Sequence, residues 1–131
     1  LFNGKNDMAW HISNTGFLMT LSAFIPQLIE RGIGDLLEGI LQEAKLNKAA
    51  IENWAIHPGG RKIVETIQKE LKLTNENVDA SINILKNYGN MSSATILFVL
   101  NKMQNEKRKG NVFACGFGPG LTLETLIGRF V

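Results

Sequence analysis

Three short segments of this sequence carry residue types that could do chemistry. The first, residues 54–60, reads WAIHPGG, so that His57 ends a short apolar run and two glycines follow it. A side chain at the carboxyl end of a buried strand is where α/β proteins often place their chemistry. Gly59 and Gly60 would let a ligand approach the backbone, and a helix beginning there would favour an anion or a polar group. A core histidine followed by a structural turn explains the same residues without any function.

The second segment, residues 88–94, reads YGNMSSA and leads into the most apolar stretch of the chain. Asn90 could cap the helix that follows, which would be a purely structural role. Its amide could instead donate a hydrogen bond into a dry pocket. Residues 90–92 also fit the glycosylation sequon, which we set aside because nothing in the sequence indicates secretion.

The third segment, residues 116–122, reads GFGPGLT. The spacing of its glycines differs from that of a dinucleotide-binding loop, and no helix is predicted after it. No acidic residue follows about twenty positions further on, where such a loop would need one. Two interpretations remain: a rigid turn that lines a cavity, and an ordinary hairpin turn.

The single cysteine and the other histidine are predicted to be structural. Cys115 lies in the middle of a predicted strand, without a helix N-terminus or an adjacent cation, so we expect a small buried hydrophobe. His11 occupies one of the alternating positions of an early strand. The sequence shows no paired-carboxylate signature, no cysteine–histidine metal spacing and no phosphate loop, so no metal and no resident cofactor are expected.

Composition narrows the class of protein. The 131 residues are one domain's worth of sequence, 44% hydrophobic and 20% charged, which is typical of a globular protein. The 14 basic residues against 12 acidic ones give a net charge of +2, too small and too evenly spread to indicate a nucleic-acid partner. A single cysteine excludes a disulfide scaffold and favours a cytoplasmic location. The longest apolar stretch, residues 94–100, is about a third of a membrane span, so no membrane association is expected.

Hydrophobic periodicity predicts the elements that must position these segments. Strands and helices alternate along the chain, which favours an α/β or α+β class with helices on both faces of a mixed sheet. The most apolar helix is expected to be central and buried, and the last two strands to pair antiparallel around Gly118-Pro119-Gly120. The predicted strands are 8–13, 17–21, 53–57, 112–117 and 121–131, and the predicted helices are 26–44, 61–72, 76–87 and 92–105.

Taken together, the three segments resemble the C-terminal half of the chalcone synthase family, the type III polyketide synthases. The match covers residues 54–60, 88–94 and 116–125, in the same order and with the same spacing, including 33 positions from His57 to Asn90. Ketoacyl synthases that initiate fatty-acid synthesis share the histidine and the asparagine but usually carry a different glycine-rich ending. The resemblance implies a thiolase-like fold, of which residues 1–131 form the second of two duplicated halves, a single C-terminal domain.

The resemblance also implies an acyltransferase site in which a cysteine, a histidine and an asparagine act on acyl-CoA thioesters. His57 matches the histidine of the family and Asn90 its asparagine. Decarboxylation of a malonyl thioester places negative charge on the thioester oxygen, and an imidazole N–H and an amide N–H can stabilise that charge. Loss of one such donor typically costs about 10²–10³ in rate.

Further residues match positions that contact substrate in the family. Met19 stands where the plant enzymes have a gatekeeper phenylalanine, and a methionine there implies a softer pocket for the starter unit. The loop from Asn105 to Asn111 is shorter than in plant enzymes, which implies a bacterial relative. The positions that match the cavity lining are Ser92, Gly118 and Pro119, and those along the CoA arm are Gly59, Gly60 and Lys62.

One part of the family's site has no counterpart in this sequence. The nucleophilic cysteine of the family belongs to the N-terminal half, and the chain begins at Leu1 without an initiator methionine, so we expect a piece of a longer protein. Its expected partners are acyl-CoA, malonyl-CoA, the missing N-terminal half and a second copy in a homodimer. The chain alone is expected to be inactive. Two alternatives stay open: a non-catalytic module for acyl-CoA binding or self-association, and a fragment of a ketoacyl synthase that uses acyl carrier protein.

Overall fold

Residues 8–131 are described by the computed structural model, with the side chains of Trp10, Phe17 and Met19–Leu21 outside that description. These residues form strands β1–β5 and α-helices α1–α4, joined in two places by a single turn of 3₁₀ helix, Lys48–Ala50 and Pro119–Leu121. In chain order the elements are β1 (Met8–Ser13), β2 (Gly16–Leu21), α1 (Ile25–Glu43), β3 (Asn53–Ile56), α2 (Arg61–Glu70), α3 (Asn75–Tyr88), α4 (Ala94–Asn105), β4 (Gly110–Gly118) and β5 (Thr122–Phe130).

The sheet that carries the motif segments has the order β3-β4-β5. β3 runs parallel to the central strand β4, and β5 runs antiparallel to it, so the sheet is mixed as the sequence predicts. The predicted antiparallel pairing of the last two strands is therefore confirmed. The first two strands form a separate antiparallel hairpin, β1-β2.

Helices cover both faces of this sheet, which confirms the predicted layers. Trp54, Ile56, Phe113 and Cys115 face α1 and α2 in one core cluster, where the rings of Trp54 and Phe113 lie 5.5 Å apart. The alternate residues face α3 and α4 in a second cluster, because successive side chains of a strand point to opposite faces. The members that the sheet supplies to this second cluster are Ala55, Val112 and Ala114.

The two longest helices follow directly from local sequence signals. α1 buries one residue in every four along a single face, and Pro26 lies in its first turn, where a missing N–H costs nothing. Thr74 is the N-cap of α3. Its side chain accepts the backbone N–H of Asn77, and the Asn77 side chain accepts the backbone N–H of Thr74. This capping box satisfies backbone N–H groups that the first turn of the helix would otherwise leave unpaired. The buried face of α1 consists of Ile25, Ile29, Ile33, Leu37 and Leu41.

A polar joint holds the first residues of β3 and β4 together. The Glu52 carboxylate accepts the backbone N–H of Asn111 at 2.6 Å, and the Asn53 amide donates to the carbonyl of Lys109 at 2.8 Å. Gly110 lies between these contacts at φ +91°. A β-carbon at this position would lie 2.5 Å from the Glu52 carboxyl carbon. The joint fixes the register of the two strands, and that register decides which residues meet at their far ends.

One expectation about burial is wrong. Only one side of α4 is buried, through Thr95, Val99 and Met103, whereas Leu97 is 63% and Phe98 is 41% exposed. The helix packs on the sheet by one face, and no described element covers the other, so it is not central in this chain. In β1, Met8 packs partly buried against the core cluster that faces α1 and α2, whereas Ile12 is 85% exposed.

Replacing Gly110 with alanine should destabilise the fold by about 2–4 kcal/mol. The substitution would strain the left-handed backbone and push the Glu52 carboxylate off the Asn111 N–H. Urea denaturation would measure the free energy of unfolding. Gly34→Ala is the matched control, because a β-carbon there meets nothing within 4 Å in the interior of α1 and should stabilise the protein by about 1 kcal/mol. Equal effects of the two substitutions would contradict the joint.

Candidate functional site

The three motif segments meet at one cavity of about 460 Å³. They reach it from the end of β3, from the turn before α4 and from the connection between β4 and β5. Five residues predicted from the sequence line this cavity, and six lining residues were not predicted. The predicted ones are His57, Asn90, Ser92, Gly118 and Pro119, and the others are Met8, Ser93, Ile96, Gly116, Phe117 and Glu124.

His57 is held by the backbone of the sheet. The backbone N–H of His57 donates to the carbonyl of Cys115 at 2.8 Å, which continues the pairing of β3 with β4 by one residue. Glycines lie on two sides of the imidazole. A β-carbon on Gly116 would be 3.5 Å from the His57 β-carbon, and one on Gly59 would be 3.6 Å from ring carbon Cδ2. The ring is therefore packed closely against backbone and is only 7% exposed.

Burial also sets the charge of His57. Desolvation lowers the pKa of its imidazole below the ordinary value of 6.5, and no charged group among the described residues opposes that shift. At neutral pH the ring is therefore uncharged. A neutral imidazole offers one N–H donor and one nitrogen that can accept a proton.

The Asn90 carboxamide is oriented by its own turn. Its oxygen accepts the backbone N–H of Ser92 at 2.9 Å and the Thr95 hydroxyl at 3.3 Å, which fixes which end of the amide is nitrogen. The nitrogen donates one N–H to the carbonyl of Gly59 at 3.1 Å. An amide carries two N–H groups, so one donor is left for a ligand. The side chain is exposed in this chain, and the pocket at Asn90 is open rather than dry.

The glycine-rich segment satisfies both interpretations left open by the sequence. It is a hairpin connection between β4 and β5, with Gly120 at φ +71°, and Gly118 and Pro119 line the cavity. A β-carbon on Gly118 would lie 2.8 Å from the Thr122 hydroxyl oxygen, so a larger residue would require the Thr122 side chain to shift. The segment is thus a turn whose backbone forms one wall of the cavity.

The residues predicted to contact the CoA arm do not lie in this cavity. Gly60 and Lys62 line a second one of about 390 Å³, together with Arg61 and the first turn of α1. Gly59 lines neither cavity, and its carbonyl accepts the Asn90 amide N–H. Met19 is on β2 opposite Trp10, and its side chain is outside the described part of the structure.

Cys115 is buried, as the sequence predicts, and burial raises the pKa of its thiol to about 12. Its side chain belongs to the core cluster on the opposite face of the sheet from the cavity. It is therefore an inert core residue. Among residues 8–131, no group of three or more histidine, cysteine, aspartate or glutamate side chains could hold a metal ion. His11 is exposed on β1 and does not line the cavity.

Glu124 is the most consequential residue that sequence reasoning missed. It lies directly opposite Gly116 in the pairing of β4 with β5. The sequence predicts that β4 and β5 pair antiparallel, but it does not say which residues lie opposite each other. Without that register, Glu124 could not be placed beside the cavity. No sequence signal marked Met8 or Ile96, whose place in the lining depends on how separate elements pack.

The whole chain, residues 1–131, matches the family model for the C-terminal domain of chalcone and stilbene synthases. This chain belongs to that family. A putative chalcone synthase of Bacillus subtilis is 34% identical over 125 residues, which are 92% of this chain and 34% of that protein. Type III polyketide synthase A of Arabidopsis thaliana is 33% identical over 133 residues, covering 95% of this chain and 34% of that one.

Solved structures of the family have the same fold. PKS-I of the brown alga Ectocarpus siliculosus aligns with a TM-score of 0.85 and 33% identity, over 97% of this chain and 36% of that one. The fungal type III polyketide synthase ORAS aligns with a TM-score of 0.87 and 28% identity, over 98% and 38%. The predicted thiolase-like fold is therefore confirmed. The chain spans about a third of the length of these relatives. Within residues 8–131, the structure has no helix with the length and hydropathy of a membrane span.

The lowered pKa of His57 predicts how stability depends on pH. Because the unfolded chain binds a proton at this residue more readily than the folded chain, stability is complete above about pH 6.5 and falls as the pH drops through the lowered folded-state pKa. Thermal unfolding between pH 7.5 and 5 should therefore show a smaller acid loss in His57→Gln than in the original protein. His11→Gln is the control and should keep the original slope. Three identical profiles would contradict the burial of a neutral imidazole.

Proposed function

We propose that this chain is the C-terminal domain of a type III polyketide synthase, an acyltransferase that condenses an acyl-CoA starter with malonyl-CoA by decarboxylative Claisen chemistry. One observation carries the proposal. The hydrogen bond from the Asn90 amide to the carbonyl of Gly59 brings the amide beside the loop of His57, so that both groups line one cavity. Membership in the chalcone and stilbene synthase family favours this function over the ketoacyl synthase alternative.

In the proposed reaction these two side chains stabilise the charge that decarboxylation creates. The bond between the malonyl carboxyl group and C2 breaks, carbon dioxide leaves, and the electron pair becomes the enolate of the thioester. The ring N–H of His57 and the second side-chain N–H of Asn90 would donate to the enolate oxygen. Fixed donors of this kind need little reorganisation when charge develops, which is the reason they accelerate such steps.

The nucleophile of this proposal comes from outside the described chain. Cys115 has a thiol pKa of about 12 and faces the other side of the sheet, so it cannot attack a thioester at the cavity. A cysteine from the rest of the protein could transfer its proton to the neutral imidazole of His57, forming a thiolate beside a cation. Without that cysteine no acyl-enzyme forms, and the isolated chain would be inactive.

The second cavity would hold the pantetheine arm and phosphates of CoA. Its wall includes Gly60 at the N-terminus of α2, where backbone N–H groups favour an anion, and the cationic side chains of Arg61 and Lys62. Arg61 is paired with Glu65 at 2.7 Å, so Lys62 is the better candidate for a phosphate. CoA thioesters are substrates here, and the proposal includes no resident cofactor. A cytoplasmic location, where CoA thioesters and reduced thiols occur together, is part of it.

Asn90→Asp in the full-length parent enzyme should lower malonyl-CoA decarboxylation by about 10²–10³. The aspartate keeps the oxygen that accepts Ser92 and Thr95, but it has neither the N–H for the enolate nor the N–H that donates to the Gly59 carbonyl, so it loses both the donor and the contact that positions it. Release of carbon dioxide from labelled malonyl-CoA measures the rate. His57→Gln should cause a loss of the same order, and Asn87→Asp, on the exposed end of α3, should cause none. An active Asn90→Asp enzyme would contradict the proposed role.

A non-catalytic role in self-association is favoured by one further observation. Tyr88, Leu97 and Phe98 expose apolar side chains on the side of α3 and α4 away from the sheet, with the Tyr88 and Phe98 rings 5.6 Å apart. Sedimentation should show that the isolated chain self-associates, and Leu97→Gln should weaken the association. Asn101→Gln, on the exposed part of the same helix, should leave it unchanged. A chain that stays monomeric at high concentration would exclude this role.

A further inference from the structure

His57, Gly116 and Glu124 form a row across the three strands of the sheet. The His57 N–H bonds to the carbonyl of Cys115, so the histidine lies beside Gly116, and Gly116 is paired with Glu124 on β5. Directly opposite residues of an antiparallel pair point to the same face of a sheet. A β-carbon on Gly116 would lie 3.5 Å from the β-carbon of His57, so this shared face is the one that carries the imidazole.

The middle member of the row has no side chain. His57 and Glu124 are two strand spacings apart, about 10 Å, and only the backbone of Gly116 lies between them. Both side chains line the cavity of about 460 Å³. The row is thus a slot with a glycine floor, with a buried imidazole at one end and a solvent-exposed carboxylate at the other. An acyl chain along it would meet no side chain at Gly116.

The slot has an acidic side chain at one end and, in the part of the chain that the structure describes, no basic side chain that could balance it. Among the described residues that line the cavity, Glu124 is the one acidic side chain and there is no lysine or arginine, while burial keeps the pKa of His57 low. Within residues 8–131, Glu124 has no basic side chain within ion-pair distance. Its negative charge therefore acts on whatever group reaches that end of the slot.

We propose that Glu124 is a specificity-determining residue, whose carboxylate favours acyl groups with an uncharged hydrogen-bond donor at the far end and disfavours acyl groups that end in a carboxylate. This inference rests on the proposed function, in which the cavity holds an acyl thioester with its carbonyl at His57 and Asn90. The far end of the acyl group then lies at Glu124. A carboxylate accepts hydrogen bonds from a hydroxyl or an amide and repels a second carboxylate.

The test compares two thioesters of equal size, glutaryl-pantetheine and its terminal amide, in calorimetric titrations of this chain. The amide should bind about threefold more tightly than the acid, as expected for unit charges about 6 Å apart in a site open to water. Glu124→Gln keeps the shape of the side chain and should bring the ratio close to one. Glu38 is an exposed carboxylate on α1 away from both cavities, so Glu38→Gln is the matched control and should keep the ratio of about three.

Salt separates a charge effect from a change of shape. Raising the ionic strength should shrink the ratio in the original chain and leave it unchanged in Glu124→Gln. A ratio that Glu124→Gln does not alter would overturn the proposal, and so would a failure of both thioesters to bind. The titrations need no turnover. If the parent enzyme had no condensing activity but the binding ratio depended on the charge of Glu124, the proposed function would be overturned and the role of Glu124 would stand. If the parent were active but Glu124→Gln left the ratio unaltered, the role of Glu124 would be overturned and the proposed function would stand.

Discussion

The hydrogen bond from the Asn90 amide to the carbonyl of Gly59 is the contact on which the candidate site depends. It joins two segments 31 positions apart in the chain, the loop after β3 and the turn before α4. The oxygen of the same amide is occupied by Ser92 and Thr95, so the side chain cannot rotate without losing three hydrogen bonds. A small polar group thus fixes the separation between the amide and the imidazole.

The sheet provides the second constraint, because successive side chains of a strand point to opposite faces, and this places the His57 and Cys115 side chains on different sides. His57 and Cys115 are neighbours through a backbone hydrogen bond, yet their side chains belong to opposite faces. Burial acts on both in the direction of the neutral form, lowering the pKa of the imidazole and raising that of the thiol. The result is a neutral histidine at the cavity and an inert cysteine in the core.

Two further features agree with the proposal that this chain is one domain of a longer enzyme. The outer face of α4 is apolar and exposed, and Asn90 is open to solvent although its proposed role needs a dry site. The relatives are about three times as long as this chain. The uncovered surface is the basis of the proposed self-association of the isolated chain, whereas the proposed inactivity of that chain follows from a nucleophile that lies outside it.

The sequence by itself determined the helices and strands, their order along the chain and the choice of His57 and Asn90 as candidate site residues. Helical and strand periodicities are local, so α1 and the β4-β5 pair could be predicted from residues close together in the chain. The spacing of the motif segments was enough to identify the family. The tertiary structure alone decided that α4 is half exposed, that Lys62 lies in a different cavity from Asn90, and that Glu124 faces the slot beside His57. These features depend on strand register and on which faces pack together, and neither is encoded by the local pattern of any one segment.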